Sequence, residues 1–161
     1  MKLTAFTDYS LRVLIYLAAQ PGRRATIAEV AASFDVKENH LTKVVHALGK
    51  AGWLQNVRGK GGGMELARPA AEIVVGEVVR RTEDGDEPTG CFADSKGDCC
   101  ITHLCRLQGV LREAVQAFYL VLDGYTLADL VHNRDALAEV IFTRRPPGVA
   151  APAPHPKGHG A

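Results

Sequence analysis

The residues with the plainest chemistry are four cysteines, Cys91, Cys99, Cys100 and Cys105, all within fifteen positions of a 161-residue chain. Their order is Cys91-x7-Cys99-x5-Cys105, with Cys100 left over, in a stretch rich in Gly and Asp. Three thiolates this close can converge on one metal centre. The spacing is too wide for the Cys-x2-Cys knuckles of structural zinc, and a Cys-x2-Cys redox pair is absent. Soft thiolates suit the iron of an iron–sulfur centre or zinc. A metal-free thiol switch is the third option, although a disulfide between neighbours Cys99 and Cys100 would be strained. Spacing alone leaves the three open.

A second set of residues has the types that read nucleic acid. Asn39, His40, Lys43, His46 and Lys50 fall on the outward face of a helix expected over residues 38–50, whose inward face is Leu41, Val44, Val45 and Leu48. Asn suits a bidentate contact to adenine, and Lys suits guanine acceptors or phosphate. Arg58-Gly59-Lys60-Gly61-Gly62-Gly63 follows as a hairpin tip between expected strands 53–57 and 64–67. Its glycines allow close approach to a groove floor, and Arg58 and Lys60 bring cations to a narrow minor groove. The tip lacks the Lys-Ser/Thr ending of a phosphate-cradling NTPase loop. A solvated polar face and a flexible turn are the bland alternatives; the order of helix, turn, helix and wing weighs against them.

These residues need a scaffold, and the sequence describes one. A helix is expected over residues 8–19, capped by Thr7 and ended by Pro21-Gly22. Thr26-Ile27-Ala28-Glu29 is a capping box that opens the next helix, burying Ile27, Val30, Ala31 and Phe34. Asp35-Val36-Lys37 is a turn, and Gly52 stands where a glycine closes a helix. A helix over 74–82 leads to the polar segment 83–98. The longest helix is expected over 104–122, where Leu104, Leu107, Leu111, Ala114, Phe118 and Val121 are spaced 3, 4, 3, 4, 3. Val110, Val115 and Leu122 widen that stripe. It is either a buried core helix or, as favoured here, a dimer interface. Gly124 ends it, Thr126-Leu127-Ala128-Asp129 starts a short helix, and residues 144–161 form a Pro/Gly/Ala tail expected to be disordered.

The fold class is therefore mainly α: a winged helix-turn-helix with a small β-hairpin wing and a long C-terminal dimerisation helix. Residues 1–82 are expected to form the DNA-binding domain, 83–143 the cysteine loop and dimerisation helices, and 144–161 the tail. Hydrophobic residues make up 47% and aromatics only 6%, so the core must be mostly Val, Leu, Ile and Ala. No run of about 18 apolar residues exists, which argues against a transmembrane helix. The first residues meet Asp8 before any long apolar run, unlike a secretory signal. A cytoplasmic, reducing location is expected, where structural disulfides are disfavoured. The net charge of +1 hides an asymmetry: +5 over residues 1–68, −7 over 69–143 and +3 over 144–161. An anionic partner is expected for the first part only. Paired carboxylates, a Ser-His-Asp arrangement and a cofactor fingerprint are not found, so an enzyme is not expected, nor a small electron carrier, in which a reader helix would be idle. His155 and His159 read as part of a polar tail.

Several stretches resemble the winged-helix iron–sulfur transcriptional regulators, and within them the nitric-oxide-sensing repressors. They are residues 1–12 (MKLTAFTDYSLR), the reader 39–45 (NHLTKVV), the wing 58–63 (RGKGGG) with 66–69 (LARP) after it, and the stretch from Cys105-Arg106-Leu107 to 125–130 (YTLADL). The resemblance covers about residues 1–131. It implies a homodimer on double-stranded operator DNA, with one iron–sulfur cluster per subunit, four irons favoured over two. The implied ligands are Cys91, Cys99 and Cys105, with Asp8 as fourth, thought to reach across from the partner subunit. It further implies that nitric oxide damages the cluster, releases the operator and derepresses detoxification genes. Without the resemblance, Asp8 reads as a helix-start acid paired with Arg12. The supply-sensing branch of the family carries a His three residues after the last Cys. Here that position is Gln108, and His103 does not fit the slot. Sensing of cluster supply, iron or redox state remains the alternative. The loop between the first two cysteines is one or two residues longer than in many relatives, which leaves open whether Cys99 or Cys100 is the ligand.

Overall fold

The computed structural model describes residues 3–59, 61–83 and 105–143. Lys60, Cys91, Cys99, Cys100, His103, Leu104 and the 144–161 tail lie outside the described residues. Among those described, the order is α1 (Ala5–Ala19), α2 (Ile27–Phe34), α3 (Glu38–Lys50), β1 (Leu54–Val57), β2 (Gly63–Leu66), α4 (Val75–Thr82), α5 (Leu107–Asp123), α6 (Leu127–Leu130) and α7 (Arg134–Thr143).

Local chemistry sets most of these boundaries. Thr26 and Glu29 form the expected reciprocal cap of α2: the Glu29 backbone N–H donates to Thr26 Oγ1 at 3.2 Å, and the Thr26 N–H donates to Glu29 Oε2 at 2.6 Å. Asp35, in the left-handed region at φ 53°, turns the chain into α3. Gly52, at φ +79°, turns it out of α3 toward β1. β1 and β2 pair antiparallel, Leu54 opposite Leu66 and Val57 opposite Gly63. Ala25, just ahead of α2, adds a bridge to Met64 and so fastens the wing to the helical body.

Three elements differ from expectation: α5 begins at Leu107 where a start near 104 was expected, and α1 and α7 depart as follows. α1 begins at Ala5, and its cap is Thr4, not Thr7: Thr4 Oγ1 accepts from the Thr7 N–H at 3.2 Å. Thr7 is fully buried and hydrogen-bonds the Thr4 hydroxyl. α7 had no counterpart in the sequence reading. It lies against α1 and α2, with Ile141 buried and Phe142 edge-on to Tyr16 at 4.9 Å. The Arg23 guanidinium covers the Phe142 ring at 5.0 Å.

The core is aliphatic, as composition requires. Leu14, Val13, Leu41, Val44, Leu48, Val30 and Met64 are almost wholly buried, and Ile73, Val78, Leu127 and Val131 join them from α4, α6 and the segments beside them. Burying each Leu contributes about 1.5–3 kcal/mol, and cutting Leu41 to Ala would cost about 2–5 kcal/mol. The chain after α5 is stitched back by backbone bonds, Val75 N–H to Tyr125 O at 2.9 Å and Leu127 N–H to Ile73 O at 2.8 Å.

α5 differs from every other long helix. It packs on α4, yet none of its residues is buried. Leu111, Val115, Phe118 and Leu122 are half-buried, while Leu107, Val110, Leu120 and Val121 stand 57%, 57%, 75% and 60% exposed. Among the described residues α5 is therefore not a buried core helix. No helix among the described residues is long and apolar enough to cross a membrane.

Candidate nucleic-acid interface and metal-ligating residues

The apolar period of α3 decides what the helix presents. Leu41, Val44, Val45 and Leu48 turn into the core, leaving Asn39, His40, Lys43, His46 and Lys50 on the exposed face. Thr42 shares that face, and its hydroxyl donates back to the Glu38 carbonyl at 2.9 Å. His40 is not free-standing: its ring lies beside that of Tyr9 on α1, centroids 6.1 Å apart and 19° from parallel. The sequence reading missed Tyr9, because the contact joins residues 31 positions apart on two helices and leaves no local pattern.

Arg58 is exposed at the outer end of β1. Glu65 is an acid on β2, within the wing itself. Arg24 donates to Glu65 Oε2 at 2.9 Å and Gln55 donates to Oε1 at 2.9 Å. The Arg24 hydrogen bond holds the Glu65 carboxyl below the usual carboxylate range, against a smaller cost of burial. The pair masks a negative charge that would otherwise repel phosphate. Arg24 was not among the expected residues either.

Of the expected metal ligands, two are described. Cys105 is a free, half-buried thiol two residues ahead of α5. Asp8 lies in the first turn of α1 and forms an i, i+4 pair with Arg12: Nε donates to Oδ1 at 3.1 Å, and Nη2 lies 2.8 Å from Oδ2. Both side chains are close to half exposed. Among the described residues no three His, Cys, Asp or Glu side chains gather at metal-binding distance. The donor set still fits iron in its chemistry: soft thiolates with one hard, exposed carboxylate.

Residues 3–133 match the Rrf2 family, an iron-dependent transcriptional regulator. The chain belongs to the Rrf2 family. It is similar to the HTH-type transcriptional regulator NsrR of Geobacillus kaustophilus, 46% identical over 146 residues that cover 90% of this chain and 99% of that protein. The NsrR of Bacillus subtilis is 46% identical over 142 residues, 88% of this chain and 97% of that one. Among solved structures, CymR (YrzC), the global cysteine regulator of B. subtilis, superposes with a TM-score of 0.67 at 25% identity, covering 83% of this chain and 98% of its own. T. potens IscR gives a TM-score of 0.67 at 27% identity, covering 85% and 90%. This Rrf2 chain is thus a winged-helix transcriptional regulator, mainly α with a two-stranded wing, and its relatives are named as transcriptional regulators.

Proposed function

We propose that this Rrf2 protein is a homodimeric repressor that holds one iron–sulfur cluster per subunit and releases operator DNA when nitric oxide damages the cluster, derepressing detoxification genes. The observation that carries the reading is the near full-length likeness to regulators named NsrR, in a chain with four cysteines within fifteen positions. Cys91, Cys99 and Cys105 would hold the cluster, with Asp8 of the partner subunit as the fourth ligand. When bound, such a cluster supplies iron that nitric oxide attacks.

The chain's own residues account for the DNA side. α3 lies in the major groove, with Asn39, His40, Lys43, His46 and Lys50 toward bases and phosphates, while Arg58 and Lys60 on the wing approach the adjacent minor groove. The exposed stripe of α5, from Leu107 to Val121, meets a second copy of itself and is covered there. Two α3 helices then stand about one helical turn of DNA apart. Asp8 immediately precedes Tyr9, whose ring lies beside that of His40 on α3, so a pull on Asp8 reaches the reader through α1. A coupling of about 1–3 kcal/mol changes operator affinity roughly 5- to 150-fold.

The test is operator affinity of anaerobically purified, iron-containing protein before and after nitric oxide, with iron and sulfide counted. Tight binding lost on exposure supports the proposal, and equal affinities overturn it. A second reading, sensing of cluster supply or redox state as in an IscR-like regulator, draws on the structural likeness to T. potens IscR. Gln108 at the position of the expected His argues against it. It predicts a response to iron or redox state without selectivity for nitric oxide.

A further inference from the structure

We infer that Glu83 is a positioning residue for the DNA reader: it completes the N-terminal cap of α1 from the end of α4, so that α4 sets where α1, and through it α3, stands. The inference rests on the DNA-binding reading above for its functional consequence, though not for its geometry.

Among the described residues three helices open on a threonine cap, and two of them close the capping box within themselves. In α2, Glu29 Oε2 accepts from both the Thr26 N–H (2.6 Å) and the Thr26 hydroxyl (3.0 Å). In α6, Asp129 Oδ2 accepts from both the Thr126 N–H and its hydroxyl at 2.7 Å. The acid in each case is the third helical residue. In α1 that position is Thr7, which carries no carboxylate to reach back. Glu83, 79 residues downstream, takes the role: its Oε1 accepts from the Thr4 N–H at 2.8 Å and from the Thr4 hydroxyl at 3.1 Å. The bond pattern is that of the other two boxes, supplied by another helix. The negative charge also lies at the positive end of α1. Burial raises the Glu83 carboxyl, and the hydrogen bonds from Thr7 and Thr4 outweigh it, leaving a net lowering that keeps the group an acceptor at neutral pH.

The tie joins elements that are otherwise separate in sequence. Glu83 is the C-cap of α4, and α4 is clasped to α5 by Arg80 and Asp123. At the other end, Thr4 is five residues from Tyr9, whose ring lies beside His40 on α3. Freeing the first turn of α1 therefore loosens the seat of His40 without removing any group that faces DNA.

The experiment uses the full chain with Glu83→Ala, Glu83→Gln and Thr4→Ala. Amide exchange of the first turn of α1 is followed together with operator affinity at several salt concentrations. Glu83→Ala should speed exchange of the Thr4 and Thr7 amides about five- to tenfold, the usual scale of a lost cap, and weaken operator binding several-fold with an unchanged salt slope. Glu83→Gln keeps the accepting oxygen and should restore most of both. If Glu83→Ala does not fold, Glu83→Ser, whose side chain is too short to reach Thr4, takes its place; with Thr4→Ala it completes a cycle in which the exchange effects should be less than additive. Wild-type exchange in the Ala or Ser variant, or fully additive effects in the double, overturns the inference. Should the wild-type chain bind no operator, the functional reading fails, and the exchange data alone still decide whether Glu83 caps α1.

Discussion

Asp123, the last residue of α5, is held by Arg80 on α4 through two hydrogen bonds, one of 2.9 Å from Nη1 to Oδ1 and a shorter one from Nη2 to Oδ2. The same guanidinium covers the ring of Tyr119 at 4.6 Å. Gly76, one turn earlier on α4, makes room for this clasp: a Cβ there would run into the Asp123 carboxylate and lie 3.1 Å from its backbone nitrogen.

Gly76→Ala should therefore push α5 off α4 at its C-terminal end and destabilise the protein by about 1–3 kcal/mol, the usual cost of overpacking. Asp123→Ala should restore only part of the loss, because the backbone contact remains. Urea denaturation of the two single variants and the double measures it. An alanine at 76 as stable as glycine would mean that the two helices approach less closely.

The fold's response to pH follows from groups held away from their ordinary values. Glu65 and Asp123 are lowered chiefly by hydrogen bonds from Arg24 and Arg80, and Asp129 by those from Thr126. A lowered carboxyl contributes stability above its unfolded value, near 4, and loses it as pH falls through the folded value. Tyr16 is raised, mainly by burial. Its contribution is full below its ordinary value of 10.0 and is lost as pH climbs through the folded value. These groups predict a stability plateau from about pH 5 to 9 with losses on either side, checked by denaturant midpoints across pH. Glu65→Gln, Asp123→Asn and Asp129→Asn together should flatten the acid limb.

How much of this was legible in the sequence depended on the range of the interaction. The α2 cap and the inward face of α3 are written in residues three or four apart, so Thr26, Glu29, Leu41, Val44, Val45 and Leu48 stood where the pattern put them. The start of α1 was misplaced because the acid completing its cap is Glu83, far along the chain. α7 was missed because its burial depends on Tyr16 and Arg23, contributed by the front of the chain. The polar stripe of α3 followed from helical period alone, whereas the Tyr9–His40 and Arg24–Glu65 contacts are tertiary.

The reader and the wing should separate by salt. Asn39→Ala should relax discrimination at one base pair by about 1–3 kcal/mol and leave the salt slope unchanged. Lys50→Ala or Arg58→Ala should weaken all sequences alike and lower the slope by about one. Binding to operator and to random duplex at three salt concentrations distinguishes them. A base-specific effect from Arg58→Ala would move that side chain from backbone to direct readout.

Apolar side chains 57–75% exposed at Leu107, Val110, Leu120 and Val121 of α5 are a solubility burden for a lone chain. Leu120→Asp with Val121→Asp should give a folded monomer by sedimentation, because neither side chain is part of the core within the subunit. That monomer should bind a two-half-site operator far more weakly, having lost the second reader. A double variant that stays dimeric would place the subunit contact elsewhere.

Asp8 has two claims on its carboxylate, the Arg12 guanidinium in this structure and the iron of the proposed cluster. An exposed i, i+4 pair contributes about 0.3–0.5 kcal/mol, so Arg12 can hold Asp8 against metal by little more than a factor of two. Arg12→Ala should consequently leave iron content unchanged and slow its loss to a chelator at most about twofold. Asp8→Ala should accelerate that loss strongly, while Cys91→Ala, Cys99→Ala and Cys105→Ala should abolish iron binding. The readout is iron and sulfide per chain during anaerobic challenge. Iron held as firmly in Asp8→Ala as in the wild type would leave Asp8 a helix-start acid whose only partner of consequence is Arg12.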